Sequence, residues 1–375
     1  MLTMLRKPSV LQVRRWLDGG SFSHCRMLAL SMSEPAGEGG YSHTPVMVHE
    51  VVDSLNIQDD QTFVDLTFGA GGHTSHVLAA AQHVRVFALD RDPSAHQRAL
   101  DMSKQHPPGR LVPLLGRFSE LEPLLERHGL TPGSLDGALL DCGCSSMQMD
   151  DPRRGFGLAR VGPLDMRMDA HRFPDEPTAA DVVNSLDFDS LVRVLKVYGE
   201  EKRAKKVAQA IVDSRFMMKT LRTTEELARV VELALDEAVG HDLLGRPSHP
   251  ATRTFMALRI LVNDELNELH WALSLMRRWL RPGGRLAVIS FHSLEDRIVK
   301  RHFQGVDADD PVARSIAQRH RNAAVWHSED EMMIERKRLW RPLGSLQLPS
   351  AAEVERNPRS RSAKLRVAEK LPPDP

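Results

Sequence analysis

Tyrosine, cysteine and net charge are all scarce in this chain. Two of its 375 residues are tyrosine and 5% are aromatic, too few for an extended platform on which single-stranded bases stack. Lys+Arg and Asp+Glu balance at 50 each, so no global field draws the chain to nucleic acid. If RNA binds, local basic patches must hold it, and a structured RNA read by shape suits such a surface best. The three cysteines are Cys25, Cys142 and Cys144. Two of them lie a residue apart on one segment, so neither a disulfide framework nor a structural zinc site is supported. No apolar run approaches membrane-spanning length.

The first forty residues differ from the rest. Arg6, Lys7, Arg14, Arg15 and Arg26 stand among serines and apolar residues, and Asp18 is the sole acid before Glu34. Basic, Ser-bearing and acid-poor is the pattern of a mitochondrial presequence, though a plain basic tail has the same composition. Residues 1–40 are therefore set outside the fold, as a disordered presequence. The body alternates strands and helices. Apolar runs predict strands over Thr62–Phe68, Val84–Asp90, Arg110–Gly116, Leu135–Cys142 and Arg285–Phe291, with helices at Thr74–Ala81, Pro93–Gln105 and Leu121–His128. That rhythm predicts an α/β fold, a doubly wound and mostly parallel sheet. Residues 164–251 instead read as an all-helical insert, with helices at Asp189–Val197, Glu200–Phe216 and Thr224–Val239 and no convincing strand. The sheet domain is then divided into 41–163 and 252–375. One long helix from Thr252 to Leu280 returns to the sheet, the turn Arg281–Gly284 leads into its fifth strand, and Glu335–Trp340 and Lys364–Glu369 form an antiparallel edge.

Four features fall at the carboxyl ends of successive strands: the turn Gly69-Ala-Gly-Gly-His73, Asp90, Phe118 and Asp141. Open α/β sheets bind ligands there. A glycine turn opening a helix lets backbone approach a ligand, and an acid ending the second strand suits a ribose diol. The spacing from Gly69 to Asp90 is close to the roughly 20 residues expected of such a unit. The glycines also fit simple tight packing, and Phe118 also fits a plain core position. No third glycine stands at the dinucleotide spacing and no Walker lysine follows, which disfavours phosphate cradling.

Nine segments then stand in order: His43–Val46, Asp65–Thr74, Leu89–Pro93, Asp141–Ser146, Gly162–Asp169, Tyr198–Glu201, His249–Phe255, Ser290–Lys300 and Asn357–Ser362. From about His43 to Lys370 they resemble the small-subunit ribosomal RNA cytosine-N4 methyltransferase family of the MraW or RsmH type. The resemblance implies a Rossmann-like methyltransferase sheet and S-adenosylmethionine as cofactor. It implies cofactor roles for Gly71, Gly72, His73, Asp90, Phe118, Asp141 and Gln148. Taken with the presequence it implies the mitochondrial branch: a matrix enzyme acting on a cytidine of 12S rRNA within the assembling small subunit, with an assembly-factor protein as a further candidate partner and no membrane association. A rival of another class is a non-catalytic assembly factor with a vestigial cofactor site.

Methyl transfer from a sulfonium needs positioning more than acid–base help. Cytosine N4 is a poor nucleophile, so acceptors aimed at its N–H groups help by localising its lone pair and taking the proton. Asp141, with Ser145 or Ser146, is the catalytic candidate. Cys142 and Cys144 read as packing, with a reactive thiol left open. The RNA-binding candidates are Arg153, Arg154, Phe156, Arg167, Lys205, Arg253, Arg359 and Arg361. Phe156 is a candidate for stacking on an extruded base, while Asp165 and Arg167 equally suit an ion pair at the insert's hinge. Ser293 is expected to cap the helix after the fifth strand, with Glu295 and Asp296 in its first turn. No metal is expected, because His292 and Glu295 have no further ligand evident in the sequence.

Overall fold

The structure is a computed structural model that describes residues 45–169, 172–218, 220–236, 240–241, 247–305 and 339–372. The presequence expectation and the polar stretch 307–330 lie outside these residues, as does the start of the strand expected at Glu335. The described residues fall into two compact units. One holds 45–147, 168–174 and 265–372; the other holds 148–167 and 175–264.

The first unit is built on a seven-stranded sheet. Its strands are β1 (Thr62–Asp65), β2 (Arg85–Asp90), β3 (Leu111–Leu115), β4 (Leu135–Asp141), β7 (Leu280–Ser290), β8 (Trp340–Pro342) and β9 (Lys364–Lys370), in the order β3-β2-β1-β4-β7-β9-β8. The first five pair in parallel; β9 pairs antiparallel with both β7 and β8. The antiparallel edge expected from the last two strands holds, with β8 as the edge strand and β9 between it and β7. Arg281–Gly284 lies inside β7, where the register with β4 shifts, instead of forming a turn before it.

Strand side chains alternate between two cores, because successive Cβ atoms point to opposite faces. Val64, Leu140 and Val288 face one core with Trp279 and Phe303, whereas Phe63, Leu139 and Ile289 face the other with Val77 and Leu365. The first core is covered by α4 (Leu121–Arg127), α11 (Glu265–Trp279) and α12 (Ser293–Phe303). The second is covered by α1 (Val48–Leu55), α2 (Gly72–Ala80) and α3 (Pro93–Ser103). Each fully buried Leu, Val or Phe contributes about 1.5–3 kcal/mol relative to exposure. Helices on both faces make the sheet doubly wound, as the alternating pattern predicts.

The second unit is helical: α6 (Ala179–Ser185), α7 (Phe188–Val197), α8 (Ala204–Met218), α9 (Thr224–Leu235) and α10 (Thr252–Asn263), with α5 (Ser146–Asp150) where the units divide. Local chemistry sets the starts. Thr178 and Thr223 each accept from the backbone three residues on, and Asp181 and Glu226 reciprocate, satisfying amides that a helix start leaves bare. Two expectations fail here. A two-residue antiparallel pair, β5 (Gly240–His241) with β6 (Pro247–Ser248), interrupts the all-helical reading. The long helix from Thr252 also breaks at Asp264, whose φ of 51° is left-handed; α11 starts afresh at Glu265, and the two units divide between these residues.

Candidate active site

The strand order reverses between β1 and β4, which is where a doubly wound sheet opens a crevice beyond its carboxyl ends. Asp65 ends β1 and Asp141 ends β4. Thr67 ties the two strands together, its hydroxyl accepting the Asp141 backbone N–H at 2.7 Å. Asp65 is buried and accepts from Thr67 N at 3.0 Å and from the Thr74 hydroxyl at 2.7 Å, so it braces the turn between β1 and α2. Burial raises its proton affinity. Sequence reasoning quoted Asp65 within a motif without assigning it this role.

Gly71 caps α2 with φ +84°, a conformation costly for any residue with a Cβ. A Cβ there would also lie 2.7 Å from Phe68 Cζ. The turn thus presents bare backbone. Gly72 opens α2 against Pro45, which a Cβ would meet at 3.0 Å. His73 is buried, with Nε2 2.9 Å from the Val46 carbonyl and Nδ1 3.8 Å from Asp141 Oδ2.

Asp90 ends β2 and is half-buried. Its carboxylate accepts from Gly69 N at 2.7 Å and from Asp92 N at 2.9 Å. Burial pushes its pKa up to about 6 against those two amides, with the negative charges of Asp92 and Asp65 adding to the rise. Asp141 is likewise pushed up to about 6 by burial; His73 opposes the shift, and the charges of Asp65 and Glu295 reinforce it. Its Oδ1 is buried and has no hydrogen-bond partner. A buried acceptor left bare costs free energy unless something arrives to satisfy it.

Phe118 is half-buried at the start of the short 3₁₀ turn after β3, packed against the first core. Ser145 and Ser146 follow β4; Ser145 Cβ lies 3.6 Å from where a Cβ on Gly69 would stand. Gln148 is buried in α5 and belongs to the helical unit. Cys142 is buried and Cys144 half-buried, and neither is in a disulfide. Sequence reasoning also missed an ion cluster beside Asp90 and Phe118: buried Asp169 meets Arg91 Nη2 at 3.2 Å and Arg117 Nε at 2.6 Å. Burial would raise its pKa, but the two guanidiniums prevail and hold it below the usual range. The segment 168–174 is thereby fastened to the sheet unit.

Several RNA candidates are otherwise engaged. Arg167 makes a two-pronged pair with Asp165 at 2.9 and 2.8 Å and donates to the Glu176 carbonyl, so the ion-pair reading of these two residues is the one realised. Arg154 donates to the Arg167 carbonyl. Phe156 is 5% exposed, so its ring has no open face for a base, and its stacking role is withdrawn. Arg153 is exposed and pairs with Asp151 at 2.9 Å. Lys205, Arg359 and Arg361 are exposed, and Arg253 is half-buried.

One expectation about the helix after β7 is also corrected, and the ground for a second changes. Its cap is His292, in a reciprocal arrangement with Glu295, and not Ser293. The second, that no metal binds, rests on a third ligand that the sequence does not show, and that ligand is there: the fold brings Glu265 to His292 and Glu295. The sequence hid this because 27 positions separate Glu265 from His292.

Among known proteins, the family described as MraW methylase matches residues 40–371. The 12S rRNA N(4)-cytidine methyltransferase METTL15 of Homo sapiens is 48% identical, over 88% of this chain and 83% of its own length. Ribosomal RNA small subunit methyltransferase H of Parvibaculum lavamentivorans is 44% identical, over 90% and 92%. A Culex quinquefasciatus protein named mosPTP-1 is 48% identical over 87% of this chain, which spans 22% of that longer protein. Of solved structures, an rRNA methylase from Streptococcus thermophilus aligns over 89% of this chain and 100% of its own, at 12% identity and a TM-score of 0.36.

Proposed function

The chain belongs to the MraW methylase family, and we infer that it methylates N4 of a cytidine in small-subunit ribosomal RNA, with S-adenosylmethionine as donor. It is an S-adenosylmethionine-dependent rRNA (cytosine-N4)-methyltransferase. The substrate is mitochondrial 12S rRNA, the RNA named for the METTL15 relative, and the protein works in the mitochondrial matrix on an assembling small subunit. The observation that carries this reading is the placement of Gly71, Asp90 and the unpartnered Asp141 Oδ1 at the carboxyl ends of β1, β2 and β4.

The residues present fit the cofactor. The glycine turn Gly69–Gly72 offers backbone to the methionine portion, and the left-handed Gly71, packed against Phe68, keeps that turn in shape. The Asp90 carboxylate is set to accept two ribose hydroxyls, and Phe118 offers an apolar face to the adenine. When bound, S-adenosylmethionine supplies a methyl group on a sulfonium, an electrophile that needs no acid to release it.

The chain's own contribution is to place and deprotonate the amine. Asp141 Oδ1 accepts one N–H of the cytosine amino group, which pushes the nitrogen lone pair out of the ring. It then holds the proton that N4 sheds as its bond to the methyl carbon forms. With a pKa raised to about 6, Asp141 is mostly ionised at neutral pH yet basic enough to take that proton. Ser145 and Ser146 orient the amine from the following turn. The helical unit recognises RNA, with Lys205 and Arg253 as phosphate contacts; Arg359 and Arg361 are separate candidates on the sheet unit. Nucleoside mass spectrometry of mitochondrial ribosomal RNA tests the reading. Loss of N4-methylcytidine without the protein, restored by wild type but not by Asp141→Ala or Gly71→Arg, is the expected result; unchanged N4-methylcytidine overturns it.

A further inference from the structure

Among the described residues, one group combines imidazole and carboxylates at metal-binding separation: Glu265, His292 and Glu295, whose ligand atoms all lie within 4.8 Å of one another. The three come from the first turn of α11 and the start of α12, both in the sheet unit. Glu295 is buried and held rigidly, its Oε2 accepting the amides of Phe291 at 2.8 Å and His292 at 3.2 Å. Its Oε1 stays turned toward His292 Nε2, 3.0 Å away. The His292 side chain is only 9% exposed, and that Nε2 has no aligned hydrogen bond despite the short distance. A buried ring nitrogen held 3.0 Å from one carboxylate without an aligned hydrogen bond, in a group that brings in a second carboxylate within 4.8 Å, is an arrangement a cation resolves.

We propose that Glu265, His292 and Glu295 bind one divalent transition cation of the Zn²⁺ or Mn²⁺ class. Ligand atoms around such an ion stand about 3–4 Å apart, given bonds of ~2.1 Å, so a modest contraction of the three side chains closes the site. One imidazole with two carboxylates favours these ions over Mg²⁺, which takes oxygen ligands and retains its water. Binding through Nε2 moves the ring proton to Nδ1 and releases the weak 3.4 Å contact from the Glu295 amide. The site lies beside the proposed chemistry, because β4 and β7 pair Asp141 with Ile289, three residues before His292. A cation there fixes the first turn of α12 next to the strand end that carries Asp141. This inference stands apart from the methyl-transfer reading, which it neither needs nor supports.

The test is calorimetric titration of chelator-treated full-length protein with ZnCl₂, MnCl₂ or MgCl₂, alongside Mn²⁺ electron paramagnetic resonance and S-adenosylmethionine uptake on the same samples. One equivalent of Zn²⁺ or Mn²⁺ is expected, with Mg²⁺ binding much more weakly. Glu265→Gln, which leaves the α12 cap intact, and His292→Asn, which keeps a capping acceptor, should each weaken binding by at least the roughly tenfold that losing an outer-shell partner costs. No stoichiometric uptake of either ion overturns the proposal, as does equal affinity in wild type and Glu265→Gln. Cofactor uptake separates the two readings, since a wild-type protein that takes up S-adenosylmethionine but no cation overturns this one alone.

Discussion

The acids at the sheet's strand ends and the arginines of the helical unit are used in opposite ways. In the sheet unit, Asp65, Asp90 and Asp141 sit at strand ends, fixed by neighbouring backbone or hydroxyl groups, and Asp141 keeps one oxygen unengaged. In the helical unit, the arginines that look most like RNA contacts pair with nearby carboxylates and carbonyls: Arg153 with Asp151, Arg167 with Asp165 and the Glu176 carbonyl, Arg154 with the Arg167 carbonyl. Parallel strands turn distant positions into neighbours at one edge. A helical subdomain built from short elements uses basic side chains to hold its own loops. Counting arginines therefore overstates an RNA surface, whereas the acids ending parallel strands are gathered by the fold at one edge of the sheet.

The sharpest way to break this contrast is at Asp141. Asp141→Ala should lower turnover on RNA by about 10²–10⁴ while cofactor uptake changes less, read by single-turnover kinetics and calorimetry. At Asp90, Asp90→Ala should weaken S-adenosylmethionine binding by roughly ten- to a hundredfold, the worth of hydrogen bonds to a charged acceptor. Acidity separates the two carboxylates in the wild type. Below a pH of about 6 Asp141 loses its capacity to accept a proton, so kcat falls, and Asp90 loses its charge, so the cofactor KM rises. Stability of the ligand-free protein should move the other way. Both carboxyls bind protons more tightly folded than at their ordinary 3.8, so thermal midpoints should fall as pH rises from about 4 to 6.

Asp165→Ala addresses the helical unit. It should destabilise that unit by about 1–3 kcal/mol, by stranding the half-buried Arg167, as seen in the urea midpoint, with RNA affinity of the folded protein unchanged. The smallest effect is expected at Lys205→Ala, which should reduce the salt slope of RNA binding by about one and leave turnover at saturating RNA intact. An unchanged slope would remove Lys205 from the interface.

What could be read from the sequence follows the same division. The strands, their parallel rhythm and the acids at their ends were legible because apolar runs and strand termini are local signals. The break at Asp264 was not: apolar spacing runs on through it, and a left-handed aspartate lacks the mark a glycine would leave. Glu265 beside His292 was hidden for the same reason, since continuing the helix would have left that glutamate mid-turn. His292 as a cap was missed because Ser293 is the more usual capping residue. The fastening of Asp169 to Arg91 and Arg117 depends on the path of the 168–174 segment, which no periodicity encodes.

The position of β9 carries a consequence for how the molecule is made. Lys364–Lys370 is wedged between β7 and β8, with Leu365 and Val367 inside the second core. During synthesis the strand that carries Asp141's neighbour therefore has one flank bare until residue 370 leaves the ribosome tunnel. A nascent chain lacking β9 exposes an open β-edge on β7, which invites pairing with a stranger, so a chaperone should be needed until that strand is available.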